Sequence, residues 1–201
     1  NVQSGGAHNN AVVMTFTSSK VTTDFVETDI TLTNCSLTNF SGSGTTYTAT
    51  ITPVQEGTVE VSVAANVFTD QAGNNNNVSN VYTWTYDTVA PTVTITSNVS
   101  DGSKTNSSDV TVTITLSKTP SSDLIASMLT LVNATAVLSK TNDTEYNAII
   151  SSSSDGSVEV SIAANVFTDH ASNQNTASLV NGVTKAYVWT RDTIKPIITL
   201  N

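Results

Sequence analysis

The chain is poor in nearly everything that active-site chemistry uses. Among 201 residues it has one cysteine, Cys35, and two histidines, His8 and His170. A single cysteine excludes an intrachain disulfide and any thiolate metal cage. The histidines lie far apart in sequence, and no G-x-S-x-G, P-loop or H-E-x-x-H string accompanies them. Carboxylates are scattered over turns instead of pairing in one segment, so no enzymatic activity is expected. Lys and Arg total 7 against 16 Asp and Glu, a net charge of −9. That deficit of cations argues against nucleic acid and anionic lipid as partners. No apolar run approaches the roughly 20 residues that cross a bilayer, so membrane insertion is not expected. Residues 1–6 (NVQSGG) have no basic start and no apolar core, which is not the pattern of a signal peptide. Four Pro and nine Gly exclude a collagen-like or Pro/Gly-rich chain.

What fills the space is hydroxyl. The sequence holds 36 Thr, 26 Ser and 21 Asn, while charged residues make up only 11%. Thr in excess together with Val describes the surface of β-sheet.

A long internal repeat sets the organisation. Residues 57–73 (GTVEVSVAANVFTDQAG) and 156–172 (GSVEVSIAANVFTDHAS) are identical at 13 of 17 positions, at an offset of 99. Further on, YTWTYDTVAP (82–91) matches YVWTRDTIKP (187–196) at an offset of 105. The second copy therefore carries six extra residues, around Leu179 to Thr184. Upstream, Val12, Met14 and Phe16 match Val110, Val112 and Ile114, and Tyr47 matches Tyr146. The repeated unit is of domain size, unlike the short periods of solenoids.

Within each copy the apolar residues alternate with period two, as in SDVTVTITL (108–116). Alternation over short runs separated by Asn, Ser, Asp and Gly predicts half-buried antiparallel strands. Copy two reads as seven of them: 91–96, 108–116, 128–132, 135–139, 145–150, 156–164 and 183–190. The one helical candidate is the turn AANVFTD, with Phe68 and Phe167 plugging the end of the core. Trp84 and Trp189 are expected in the core, and Tyr47 and Tyr146 at a sheet edge. Seven short alternating strands per hundred residues predict an all-β chain of two tandem immunoglobulin-like β-sandwiches. Cys35 reads as a small residue near a hairpin turn.

The strings DITLTN…LTNFSGSGTTYTATITP, GTVEVSVAANVFTDQAGNNN and YDTVAPTVTI together resemble the bacterial immunoglobulin-like repeats of large surface adhesins. The likeness covers nearly the whole chain. In copy two, Ser151–Asp155 replaces the Pro-bearing turn and His170-Ala171-Ser172 replaces Gln-Ala-Gly. The resemblance implies an extracellular or cell-surface, non-enzymatic module, a spacer or an adhesive. It also implies that the D-T-x-x-P string is the joint between neighbouring repeats.

The frame of the repeat adds a further expectation. Copy two opens on the strand PTVTIT (91–96), and copy one has no counterpart in front of it, so the first sandwich lacks its own first strand. The domains then read as 1–89, 90–194, and an orphan strand at 195–201. Ile198 and Leu200 of that strand stand where Val93 and Ile95 stand in copy two. Two readings follow. Pro196, Ile197, Ile198, Thr199 and Leu200 are donated to domain 1 of another copy, against Val12, Met14 and Phe16, building a head-to-tail homopolymer. Alternatively the chain is a spacer or glycan-binding stretch of a longer tandem array.

Candidate sites are few. Asp87 and Asp192 in the joints, with Asp70 and Asp169 after the AANVFT turn, have the oxygen chemistry calcium uses, although no D-x-D-x-D-G run is present. Seven N-x-S/T sequons, at Asn34, Asn39, Asn77, Asn98, Asn106, Asn133 and Asn142, would be N-glycosylation sites in a eukaryotic secretory pathway. Glycans or a host or cell surface are the remaining partner classes, for which an exposed pair of Trp or Tyr would be the signature.

Overall fold

The computed structural model describes residues 3–200. It divides into one unit ending at Val89 and a second starting at Ala90, each with its own apolar core. In the first unit the strands are β1 (Ala7–His8), β2 (Val12–Thr22), β3 (Ile30–Thr33), β4 (Cys35–Pro53), β5 (Gly57–Val63) and β6 (Tyr82–Tyr86). They form one sheet in the order β1-β6-β5-β3 and a second of β2 with β4. β4 turns back on itself, so that Ser41 Oγ and Thr48 Oγ1 meet at 3.3 Å. Gly42 makes that reversal possible. A Cβ there would lie 2.4 Å from the Thr46 carbonyl oxygen, and its φ of +133° is one that L side chains rarely adopt.

In the second unit the strands are β7 (Val93–Ser97), β8 (Lys104–Thr105), β9 (Asp109–Leu116), β10 (Leu129–Val132), β11 (Thr135–Asn142), β12 (Glu145–Ser151), β13 (Gly156–Ile162), β14 (Leu179–Val180), β15 (Val183–Thr184) and β16 (Tyr187–Arg191). One sheet runs β10-β13-β16-β8 and the other β11-β12-β9-β7-β14-β15. Alternation explains the layering. Val110, Val112, Ile114 and Leu116 of β9 point inward and are at most 3% exposed, while the residues between them face out or are half-buried. Trp84 and Trp189 sit at the centres of the two cores.

Three expectations change. The run 183–190 is not one strand. The extra residues of copy two form the hairpin β14–β15 over Asn181-Gly182, both at positive φ, and β16 begins only at Tyr187. The AANVFTD turn is not helical. Asn66 and Asn165 take φ near +63°, and Asn76 and Asn175 tie the loop by accepting from two backbone N–H groups and donating to two carbonyls. Tyr47 and Tyr146 lie in the cores, not at a sheet edge, because their hydroxyls find internal acceptors. These are the Thr22 carbonyl, and Asp123 at the rim.

The equivalent positions Phe16 and Ile114 should respond differently to truncation. Ile114→Ala, in a closed core, is expected to cost the second unit about 2–5 kcal/mol in denaturant unfolding. Phe16→Ala, at a half-open position, should cost the first unit clearly less. Equal losses would show that the first core is as closed as the second.

Candidate functional site: a groove along the free edge of one strand

The second unit shows what the edge of β9 is built to receive. β7 pairs antiparallel with it, placing Val93 opposite Leu116, Ile95 opposite Ile114 and Ser97 opposite Val112. Val93 and Ile95 are at most 1% exposed and complete the core. The far side of β7 is engaged too. Thr176 N–H donates to the Pro91 carbonyl at 2.9 Å, and Leu179 of β14 lies in parallel register with Thr94.

In the first unit β2 occupies the position of β9. Among the described residues it pairs with β4 and with no strand on its other side. A groove of about 790 Å³ runs there. Val12 to Lys20 form one wall and Asn74 to Asn77 with Ser79 and Asn80 the other, over a floor of Phe25, Tyr47, Val61, Val63 and Phe68. Its footprint appears as a run of exposure differences between equivalent residues. Val112, Ile114, Phe167, Ala171, Asn173, Asn175 and Ser178 are buried in the second unit. Met14, Phe16, Phe68, Asn76 and Ser79 are half-buried in the first, and Ala72 and Asn74 are exposed. In the second unit β7, with β14 along its far edge, occupies the corresponding place.

Of the three acceptor residues read from the sequence, Met14 and Phe16 line the open groove. Val12 also lines it but is already packed at 7% exposure. Sequence reasoning missed the floor and the opposite wall, although the offset of 99 carries Phe167, Asn173, Asn175 and Ser178 onto Phe68, Asn74, Asn76 and Ser79. The residues expected to be the donor lie in a segment that pairs with no strand among the described residues. Ile194, Ile197, Ile198 and Leu200 are 80–92% exposed, four aliphatic side chains in seven residues that no described residue covers.

The Asp residues considered for calcium are engaged by hydrogen-bond donors. Asp87 Oδ1 accepts from Val89 N–H and Asp192 Oδ1 from Ile194 N–H, each closing a turn at the joint. The Ile194 N–H, with Lys104 beside it, holds the Asp192 carboxyl below its ordinary value. Asp70 accepts from Ala72 N–H, Asn74 N–H, the Asn74 amide and Lys20, chiefly the Asn74 amide and then Lys20 holding it well below the usual carboxylate range. For Asp169, burial alone would raise the carboxyl. Donation from Asn173 and the Lys118 ammonium at 3.1 Å outweighs it, and the group stays below its ordinary value. Among the described residues no three Asp, Glu, His or Cys side chains cluster to hold a metal.

Three of the sequon asparagines do structural work. Asn34, Asn39 and Asn133 take positive φ, and the Asn34 amide donates to the Gln55 and Thr58 carbonyls. The Asn39 amide donates to Thr50 Oγ1, and the Asn133 amide to the Ser154 carbonyl. Asn77 lines the groove, and Asn98, Asn106 and Asn142 are exposed. Both Trp residues are core, and Phe40 stacks on Tyr47 inside the first unit with centroids 5.7 Å apart, so none of these rings offers a glycan platform.

A family model, the bacterial Ig-like domain, matches residues 2–86 and again residues 87–185. No curated protein matches the chain in sequence. Among solved structures it is similar to the Yersinia pseudotuberculosis adhesin InvE, at 13% identity and a TM-score of 0.31, over 94% of this chain and 56% of that one. It is also similar to Bacteroides ovatus SGBP-B of a mixed-linkage glucan utilization locus, solved with a mixed-linkage heptasaccharide. There the identity is 17% and the TM-score 0.30, over 94% of this chain and 44% of that one. A third is the surface layer protein SbsC, domains 4-9, at 12% and 0.23, over 90% and 30%. The chain thus spans little more than half, or less, of each.

The lowered Asp169 carboxyl makes the stability of the second unit acid-sensitive. Its contribution is complete above the unfolded carboxyl value of about 3.9 and disappears as pH falls through the lower folded value. Urea midpoints of the second unit measured from pH 5 downward should therefore fall below about pH 4. Asp169→Asn should flatten that fall. An unchanged slope in the variant would assign the acid sensitivity to other groups.

Proposed function

The chain belongs to the bacterial Ig-like domain family, and from that premise we propose that it is a structural subunit of an extracellular fibre. Units join head to tail when residues 196–200 of one copy enter the groove beside β2 of the next. The observation that carries the reading is the groove itself. It has the length, the half-open apolar floor and the free strand edge that β7 satisfies in the second unit. Ile198 and Leu200 reproduce the spacing of Val93 and Ile95, and Pro196 reproduces Pro91.

The pairing of β7 with β9 supplies the register of this reading. Ile198 lies opposite Ser18 and Leu200 opposite Phe16, as Val93 and Ile95 lie opposite Leu116 and Ile114. Asn77 N–H stands where Thr176 N–H stands and donates to the Pro196 carbonyl, as Thr176 N–H does to that of Pro91. Burying the two aliphatic side chains contributes about 1.5–3 kcal/mol each. Each ladder hydrogen bond adds about 0.5–1.5 kcal/mol. Against this stands an association cost of at least about 4 kcal/mol. The strand alone holds loosely, so a durable fibre draws on further contact between subunits. Donor and acceptor are different surfaces, so the contact is heterologous and propagates as an open helical filament unless the rotation closes a ring. The role is mechanical, linking neighbours and extending from a surface.

Disulfide trapping tests the register. In a Cys35→Ser background, Phe16→Cys combined with Leu200→Cys should give, on mild oxidation, a ladder of covalent dimers, trimers and longer species. Pairing Phe16→Cys with Thr199→Cys, whose side chain faces the other way, should not. Electron microscopy should show filaments from the intact chain and none from a chain ending at Arg191. An intact chain that stays monomeric and uncross-linked at high concentration would overturn strand donation. The groove would then be filled from within a longer tandem array.

A further inference from the structure

The start of each joint is fastened to its own domain in the same way in both repeats, by residues that differ in type. In the first unit the Glu56 carboxylate, in the turn between β4 and β5, accepts from Thr88 N–H at 2.9 Å and from Thr88 Oγ1. In the second, Asp155, in the turn between β12 and β13, accepts from Thr193 N–H at 3.1 Å and from Thr193 Oγ1 at 3.0 Å. Asp155 and Glu56 are related by the offset of 99, and Thr193 and Thr88 by the offset of 105. The Asp before each Thr closes the next turn, onto Val89 and Ile194. In the second unit Arg191 also donates to Asp155 at 3.1 Å.

We propose that Glu56 and Asp155 are positioning residues of the joint. Each carboxylate pins the Thr of the D-T-x-x-P string to its own domain, so the strand that follows leaves along a set direction in an extended form. The chemistry suits the task. A carboxylate that accepts an N–H and an O–H from one residue makes two charge-assisted bonds and fixes both backbone and side chain of that residue. Among the described residues, no other side-chain bond anchors the segment after Thr193. Its side chains from Thr193 to Leu200 are exposed, and the Ile194 N–H bond to Asp192 is purely local. Without Asp155 the donor would sample many directions, and capture would have to order it first.

For Asp155 the inference rests on the proposed strand donation. For Glu56 it does not, because the 88–91 joint lies within a single chain. A shorter Asp in one repeat and a longer Glu in the other reach the same two donors. What matters at this position is thus the carboxylate and not the length of its stem.

The test uses the intact chain and a polymerisation-blocked form carrying Ile198→Asp and Leu200→Asp. In the blocked form, Glu56→Ala should accelerate amide hydrogen exchange at Thr88 about tenfold or more and lower backbone order parameters across 88–90. Glu56→Asp should retain most of the protection. Asp155→Ala should do the same at Thr193 and 193–195, and in the intact chain it should raise the critical concentration for filaments about tenfold. Asp155→Glu should restore it. Thermal unfolding of the two units checks that the turns remain folded. Unchanged exchange at Thr88 in folded Glu56→Ala would overturn the clamp. Loss of Thr193 protection with an unchanged critical concentration would overturn the aiming role of Asp155. A chain that never forms filaments defeats strand donation and with it the aiming role of Asp155, while the Thr88 exchange still decides the clamp at Glu56.

Discussion

A strand with one unpaired edge governs this molecule. Backbone N–H and C=O groups along β2 need partners, and the side chains that alternate with them need cover. In the second unit β7 meets both needs for β9, and the core below it closes to almost complete burial. In the first unit no described strand meets those needs for the other edge of β2. Met14, Phe16 and Phe68 stay half-wet, and a segment of asparagines lines a groove instead of a core.

The two units share one further solution, in the loop that forms the wall opposite β2 in the first unit. The loop after AANVF has little apolar content and no regular secondary structure, yet it forms a wall of fixed shape. It does so by turning side chains into backbone surrogates. Asp70 and Asp169 gather N–H donors from their own loops. Asn76 and Asn175 each bridge two N–H groups and two carbonyls. Lys20 and Lys118 close the ring on the carboxylate. Asp70, Asn74 and Asn76 recur as Asp169, Asn173 and Asn175, as such a network demands when each polar atom has an assigned partner.

Much of the fold could be read from the chain. Period-two alternation in 57–63 and 108–116 gave strands close to where they lie, and the internal repeat gave two domains. The failures have two causes. The run 183–190 alternates as one strand, but Asn181-Gly182 starts a hairpin that consumes its first residues, and turn chemistry overrides hydrophobic period. Tyr47 and Tyr146 looked peripheral because a hydroxyl suggests water, and only tertiary structure reveals the acceptors that let each ring lie inside. At the site, β2 was legible as one wall through its match to β9. The opposite wall was not, because asparagine-rich sequence carries no periodicity and its role shows only in a difference of burial between equivalent residues.

The hairpin β14–β15 has a consequence for valence. By lying along the outer edge of β7 it seals the second unit on the side where the first unit is open. Under the proposed strand donation, a chain with one receptive edge and one projecting strand would be a bifunctional monomer, with a head and a tail that cannot exchange roles. Its polymers would be polar and unbranched, and a subunit with a blunted tail, added at substoichiometric dose, would act as a chain stopper.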